Sequence, residues 1–385
     1  MNQTPKVLII GLVDRKEDLQ KQQASLIEAE LLVDTYGGEV YKTLNQNSSH
    51  QSGSTYVGSG KVQELKELVE LDDIDIIIVN AHLRASQTFA LKEIISPQET
   101  CKIWDRTQLI LQIFKKHANT AEAKLQIKLA ELNHHGPELS GIGSTLSQQA
   151  GGIGTRGIGE TSTEIMNRHW RKEIRSIEEK LKKVTQNRHQ QMKHRKQSGI
   201  PTVSIVGYTN AGKTTLFNAI SSKKDKVKNA LFATLDSSVS TLYLQNVGKE
   251  IYISDTIGFI QDLPTDLIDA FKSTLMETIN ADILLHVIDA ADKDIRIKIS
   301  TVNRIIESLD LKQKKQIYVF NKSDKLAEDL KNNLSKKYQG TQHIFISAKN
   351  DKNVDTLISI VEKELLKKGL KRAKHLSYLD DLPQD

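Results

Sequence analysis

Cysteine is all but missing from this 385-residue chain, where Cys101 stands alone. A single thiol excludes an internal disulfide framework and suits a reducing compartment, so the composition predicts a cytoplasmic protein. Long apolar runs are missing too. The run from Lys6 to Val13 is too short to span a bilayer and lacks a small-residue cleavage site. It reads as a first β-strand, and no stable membrane insertion is expected. Nor is there a large charge excess: the net charge is +6, which matters only where it is localised. The length leaves room for two or three domains, each with its own core.

What is present is a set of four motifs in order. Gly207, Tyr208, Thr209, Asn210, Ala211, Gly212, Lys213 and Thr214, with Thr215 after them, follow the apolar run Val203–Val206 and match a phosphate-binding loop. Glycines let backbone N–H groups close around phosphates, Lys213 adds charge at the β/γ positions, and the Thr214 hydroxyl is a Mg²⁺ ligand. The helix that begins here directs its positive end at the same anion. Downstream come Asp255-Thr256-Ile257-Gly258, then Asn321-Lys322-Ser323-Asp324, then Ser347-Ala348-Lys349, in the order and spacing of a GTPase domain. The Asp324 carboxylate can accept from both N1 and N2 of guanine, whereas adenine would leave it desolvated and unpaired, so GTP and GDP are the expected ligands. It follows Gln316–Phe320, which reads as a buried parallel strand with the ligand beyond its carboxyl end.

The positive charge gathers between residues 168 and 196, including Arg171, Lys172 and Arg175. Beneath it Trp170, Ile174, Ile177, Leu181 and Val184 form an apolar seam at three-and-four spacing, the pattern of a helix packed along a partner. Thr107 to Asn133 is also helical by pattern, which predicts a hairpin with arms on the order of 40 Å. A basic helix face has two readings, a solvated surface or a nucleic-acid contact. Gly136 to Gly159 lies between the helices and reads as a long glycine-rich loop, either a flexible linker or an RNA-contacting tip centred on Arg156. Its literal G-x-G-x-x-G at Gly152, Gly154 and Gly157 lacks the strand and βαβ unit of a dinucleotide site.

Near the N-terminus, strand patterns at Lys6–Val13, Glu39–Leu44, Ile74–Asn80 and Lys102–Asp105 alternate with helical patterns at Glu17–Tyr36, Lys61–Leu71 and Ser86–Ile95. That order predicts a small parallel α/β sheet. Gly58-Ser59-Gly60-Lys61 fails as a second phosphate loop, because Thr55 stands where a glycine is needed and Val62 follows the lysine. A strand-to-helix turn and a second nucleotide site remain as its readings.

With these residues in view, the chain resembles the HflX family of translational GTPases from Lys6 to about Lys367. The resemblance rests on Tyr56–Lys61, Asp105-Arg106-Thr107, Gly151–Thr161, Phe232-Ala233-Thr234-Leu235-Asp236, Asp255–Pro264 and Ala270–Leu275. It implies an N-terminal α/β domain (1–105), a helical hairpin arm (106–197) with a glycine-rich loop (136–161), a Ras-like P-loop GTPase domain (198–368) and a short tail (369–385). It implies GTP-dependent binding to the large ribosomal subunit, splitting of stalled ribosomes under stress, and a loop that reaches the peptidyl-transferase region. Phe232, Ala233, Thr234, Leu235 and Asp236 would then form switch I, with Thr214 and Thr234 on Mg²⁺ and Asp255 acting through water. Ser237-Ser238-Val239-Ser240 and Gln261 depart from the family pattern, as do Ile158 and Ser162-Thr163 in the loop. Phe259 stands where many small GTPases carry a water-orienting Gln. Asn210 matches GTPases that hold a K⁺ beside the phosphates; bracing of the loop is its other reading. Two rival classes are a nucleotide-gated RNA-binding switch with incidental hydrolysis and a peripheral membrane GTPase whose basic arm meets anionic lipid.

Overall fold

The computed structural model describes residues 4–14, 19–48, 50–149, 162–221, 231–232, 238–261, 267, 275–373 and 376. They fall into two compact units, one built mainly on Met1–Val184 and the other on Thr185–Leu263 and Phe271–Asp385.

In the first unit, strands β1 (Lys6–Val13), β2 (Glu39–Asn47), β3 (Ile76–Val79) and β4 (Lys102–Asp105) alternate with helices α1 (Leu19–Tyr36), α2 (Ser59–Asp72) and α3 (Ala85–Ile95). The strands lie in the order β2-β1-β3-β4, every neighbouring pair parallel. Parallel neighbours require a crossover, and each helix supplies one. The β3 sequence Ile-Ile-Ile-Val is buried throughout, as a strand covered on both faces must be. Leu8, Ile10, Leu65, Ile77 and Ile103 share its core. The expected order and types are found, with bounds shifted by a few residues. Gly58 makes the turn into α2, and its N–H donates to Gln46 Oε1 at 2.9 Å.

The arm differs from the expectation in two places. The single helix expected over Thr107–Asn133 is two, α4 (Arg106–His117) and α5 (Ala121–Gln149). Asp105 caps α4 by accepting from the Gln108 N–H at 2.7 Å, and the Thr120 hydroxyl accepts from the Ala123 N–H at 3.1 Å as α5 begins. Such side-chain acceptors satisfy orphan donors and restart a helix within a few residues. The glycine-rich segment is also not a loop from its first residue: α5 continues through Gly136 and Pro137 to Gln149. Gly136 is buried, and a Cβ there would lie 1.8 Å from Trp170 Cζ2. The missing side chain is what admits the indole, whose Nε1 donates to the Leu132 carbonyl at 3.1 Å. Residues 150–161, with Arg156, lie outside the described residues.

Helix α6 (Ser162–Gln197) spans 36 residues, about 54 Å at 1.5 Å per residue. Its expected seam is shielded, with Ile177 buried and Trp170, Ile174, Leu181 and Val184 partly so, while Arg171, Lys172 and Arg175 are exposed. Lys128 on α5 pairs with Glu173 on α6.

Among the described residues the second unit carries six strands, in the order β10-β9-β8-β5-β7-β6. They are β5 (Thr202–Gly207), β6 (Ser238–Leu244), β7 (Lys249–Asp255), β8 (Ile283–Asp289), β9 (Lys315–Asn321) and β10 (His343–Phe345). The β6–β7 pair is antiparallel, and the other neighbouring pairs among the described residues are parallel. Around them run α7 (Lys213–Ile220), α8 (Met276–Asn280), α9 (Ile295–Ser308), α10 (Glu328–Lys337) and α11 (Val354–Lys367). The core joins Val203, Leu216, Phe217, Ile253, Leu285, Val319 and Leu357. This architecture sets the carboxyl ends of β5, β7, β8 and β9 side by side.

Candidate nucleotide site

The loop between β5 and α7 is shaped by two residues with positive φ. Gly212 sits at φ 91°, and a Cβ there would lie 2.3 Å from Asn321 Nδ2. Asn210 sits at φ 60°, a left-handed conformation that asparagine tolerates better than most residues. Its identity therefore has a local backbone reason, and its side chain is exposed.

Two residues of the third expected motif hold this loop from the end of β9. Asn321 Nδ2 donates to the Ala211 carbonyl at 2.9 Å, while its Oδ1 accepts from the Ala348 N–H at 3.0 Å. One side chain thus ties the phosphate-binding motif to the Ser347-Ala348-Lys349 motif. Lys322 Nζ donates to the Asn210 carbonyl at 2.9 Å and pairs with Asp289 Oδ2 at 2.7 Å. Asp289, at the last position of β8, is not among the residues the sequence motifs mark. No local signal points to it, because its partner is 33 residues away.

Lys213 is buried and donates to the Tyr208 carbonyl at 2.9 Å. Burial lowers its pKa to about 8, partly opposed by the Asp255 carboxylate, so it remains largely protonated at neutral pH. The Thr214 hydroxyl lies 2.7 Å from Asp255 Oδ2. These two hard oxygen donors, one in the first turn of α7 and one at the end of β7, fit the chemistry of Mg²⁺. Gly258 passes close enough that a Cβ would lie 2.7 Å from Thr209 Cα and 3.0 Å from Lys213 Nζ.

Phe259 turns away from this chemistry. Its side chain is buried, its N–H donates to the Gly207 carbonyl at 3.1 Å, and its carbonyl accepts from the Thr209 N–H at 2.7 Å. Gln261 donates its backbone N–H to the Tyr208 hydroxyl at 2.7 Å. Phe232 is buried at φ 56°, a strained backbone for a bulky residue, and donates its N–H to Thr209 Oγ1 at 2.9 Å. Ala233, Thr234, Leu235 and Asp236 lie outside the described residues.

Asp324 is exposed beyond β9. A hydrogen bond from Ser347 holds its carboxyl below the usual range, helped by a backbone N–H, Lys325 and Lys349 against a smaller desolvation effect. It is therefore ionised at neutral pH and able to accept two donors on one edge of a base.

His286, in the middle of β8, is a further buried titratable group. Its Nδ1 finds no hydrogen-bond partner among the described residues, and its ring meets Tyr318 edge-on at 5.0 Å. Burial, with Lys213 adding to it, lowers its pKa to about 3 from 6.5. Because the folded pKa lies below the unfolded value, the unfolded chain binds the extra proton between pH 6.5 and about 3. Stability should therefore fall as pH drops through that window. Denaturant unfolding of wild type and His286→Leu from about pH 7 to about pH 4.5 checks this: the wild-type curve should decline more steeply. Equal slopes would show that His286 does not titrate on unfolding.

Family comparisons agree along the chain. The family described as GTP-binding GTPase N-terminal matches residues 23–115, GTP-binding GTPase Middle Region matches 117–195, and 50S ribosome-binding GTPase matches 202–322. The chain is 41% identical to GTPase HflX of Caldanaerobacter subterraneus subsp. tengcongensis, over 94% of this chain and 81% of that protein. It is 36% identical to GTPase HflX of Escherichia coli, over 90% and 80%. In fold it is similar to the crystal structure of SsGBP with GDP, at TM-score 0.50 and 24% identity, covering 95% of this chain and 100% of that one.

Proposed function

This chain belongs to the HflX family and is a P-loop GTP hydrolase, and from that premise we propose that it is a translation factor. In its GTP form it binds the large ribosomal subunit and splits or rescues stalled ribosomes. The observation that carries this reading is helix α6, where a shielded apolar seam backs a face of exposed Arg171, Lys172 and Arg175. A helix about 54 Å long with cations along it suits ribosomal RNA, whose phosphates need positioned positive charge.

Nucleotide binding would use Gly207–Thr215 around the phosphates, with Lys213 charged against them and Gly258 close by. Asp324 would read the guanine edge while Asn321 and Lys322 keep the phosphate loop in register. Ser347, Ala348 and Lys349 would complete the base pocket. Thr214 would ligate Mg²⁺, with Asp255 acting through water and Thr234 as the expected switch I ligand; the ion would neutralise charge on the β- and γ-phosphates.

Two other readings, an RNA switch with incidental hydrolysis and a membrane-surface GTPase, part company in one experiment. Among the described residues no helix is long and apolar enough to cross a membrane. Co-sedimentation with a non-hydrolysable GTP analogue should pull the protein down with large ribosomal subunits and not with anionic liposomes. Liposome pelleting without ribosome pelleting would overturn the proposal. Reversing Arg171, Lys172 and Arg175 to Glu should lower ribosome affinity more than roughly tenfold. It should also reduce the slope of log affinity against log salt by about 3, one for each phosphate that the helix no longer neutralises. An unchanged salt slope in the triple variant would remove α6 from the interface.

A further inference from the structure

A second polar cluster lies in the first unit, and the GTPase chemistry makes no use of it. His82 follows β3, Asp105 ends β4, and His134 projects from α5. Their ligand atoms all lie within 4.8 Å of one another. His134 Nε2 is 3.2 Å from Asp105 Oδ1, and His82 Nδ1 is 3.5 Å from Asp105 Oδ2. The centroids of the two imidazole rings are 5.7 Å apart.

We propose that His82, Asp105 and His134 bind a divalent transition-metal ion of the Zn²⁺ type, joining α5 to the carboxyl edge of the four-stranded sheet. Around tetrahedral zinc, with bonds near 2.0–2.1 Å, ligand atoms are separated by roughly 3.3 Å. Each imidazole already lies near that spacing from one Asp105 oxygen, His134 from Oδ1 and His82 from Oδ2, which suits a carboxylate that presents both oxygens to the ion. The remaining His82–His134 edge can close by rotation of His82, whose side chain is 61% exposed.

The carboxylate is set for the task by its backbone contacts. Oδ1 accepts the Gln108 N–H at 2.7 Å and Oδ2 accepts the Leu83 N–H at 3.1 Å. Each oxygen has a second lone pair, so the contacts fix the carboxylate and leave acceptor capacity toward the histidines. Asp105 is 2% exposed and His134 12%, so two ligands are shielded while the His82 side meets solvent. His82 Nδ1 also lies 3.3 Å from Thr107 Oγ1, a contact that the metal would replace.

Two imidazoles and one carboxylate favour Zn²⁺, Co²⁺ or Ni²⁺ over Mg²⁺ or Ca²⁺, which prefer all-oxygen shells. Three protein ligands leave a fourth position for water on the open side. The location is also where open α/β sheets place ligands, beyond the carboxyl ends of adjacent strands. An ion here would join three segments far apart in sequence. A plain ion pair between His134 and Asp105, with His82 solvated beside it, is the rival account.

The test uses the tag-free full chain, stripped with chelator and then loaded with Mg²⁺·GDP to fill the nucleotide site. Co²⁺ is followed by its visible absorption, then displaced with Zn²⁺, and thermal midpoints are recorded with and without Zn²⁺. Wild type should take up one equivalent of Zn²⁺ that excess Mg²⁺ does not displace, and its midpoint should rise. His82→Ala and His134→Gln should each weaken Zn²⁺ binding at least tenfold and abolish the rise, with GDP affinity unchanged as the check on folding. The exposure of His82 keeps the first variant informative even where the second is unstable. No Zn²⁺ uptake by wild type, or a weakening below tenfold in His82→Ala, would overturn the proposal.

Discussion

Asp324→Asn should lower affinity for GTP and GDP by about 10²- to 10⁴-fold and raise affinity for xanthine nucleotides. The expected size follows from two charge-assisted hydrogen bonds, each worth about 1.5–3 kcal/mol, at about 1.4 kcal/mol per tenfold. The wild-type carboxylate is ionised and oriented by Ser347. An amide can accept only through its oxygen, and its nitrogen presents hydrogens to the guanine N1 or N2 donors. Xanthine carries a carbonyl at position 2, which accepts from that nitrogen. Fluorescence titration with GDP and XDP, for both proteins, measures the exchange. Unchanged GDP affinity in the variant would remove Asp324 from the base site. The variant should still fold, since Asp324 is exposed and takes no part in the core.

Intrinsic GTP hydrolysis should be slow, and large ribosomal subunits should accelerate it by about 10²- to 10³-fold, the range associated with one preorganised transition-state donor. Phe259 offers the attacking water no hydrogen bond, its side chain is buried, and both its backbone groups are engaged by Gly207 and Thr209. The side chain after the Asp255–Gly258 motif therefore cannot swing in to replace a glutamine. A rigid partner that orders switch I and excludes solvent would supply the missing organisation; on the proposed function, binding would then come before fast chemistry and hydrolysis would serve release. Single-turnover rates with and without subunits, in K⁺ and in Na⁺, separate the contributions. Equal rates with and without subunits would discard partner activation. Equal rates in the two salts would discard K⁺ at Asn210 and leave the left-handed backbone as the reason for that residue.

The arm shows how a glycine-rich segment misleads a local reading. Glycine and proline each lower helix propensity, by about 1 and 3 kcal/mol, so Gly136-Pro137 reads as a break. The cost of the glycine is offset because the position must admit an indole from another helix, and no local rule contains Trp170. The break that does occur, between α4 and α5, is marked by a threonine that caps, a weak signal inside a strong helical pattern. Similarly, Asn321 and Lys322 are recognisable as motif members from their spacing alone. That they restrain the phosphate loop through Ala211 and Asn210 is not.

By itself the sequence determined the alternation of strands and helices, the parallel sheet of the first unit, the phosphate loop, the ionised carboxylate beyond β9 and the shielded seam of α6. Each of these depends on periodicity or on residue types a few positions apart, where backbone geometry links neighbours directly. The tertiary structure alone decided which distant residues meet: Asn321 over the phosphate loop, Asp289 under Lys322, His286 buried near Lys213, Gly136 against Trp170, and His82 and His134 around Asp105. Those meetings follow from strand order and helix placement, which set β3 beside β4 and β8 between β5 and β9. Neighbours in a parallel sheet are joined by long crossovers, so the side chains that converge at its carboxyl edge are separated by tens of residues, and no local pattern records their meeting.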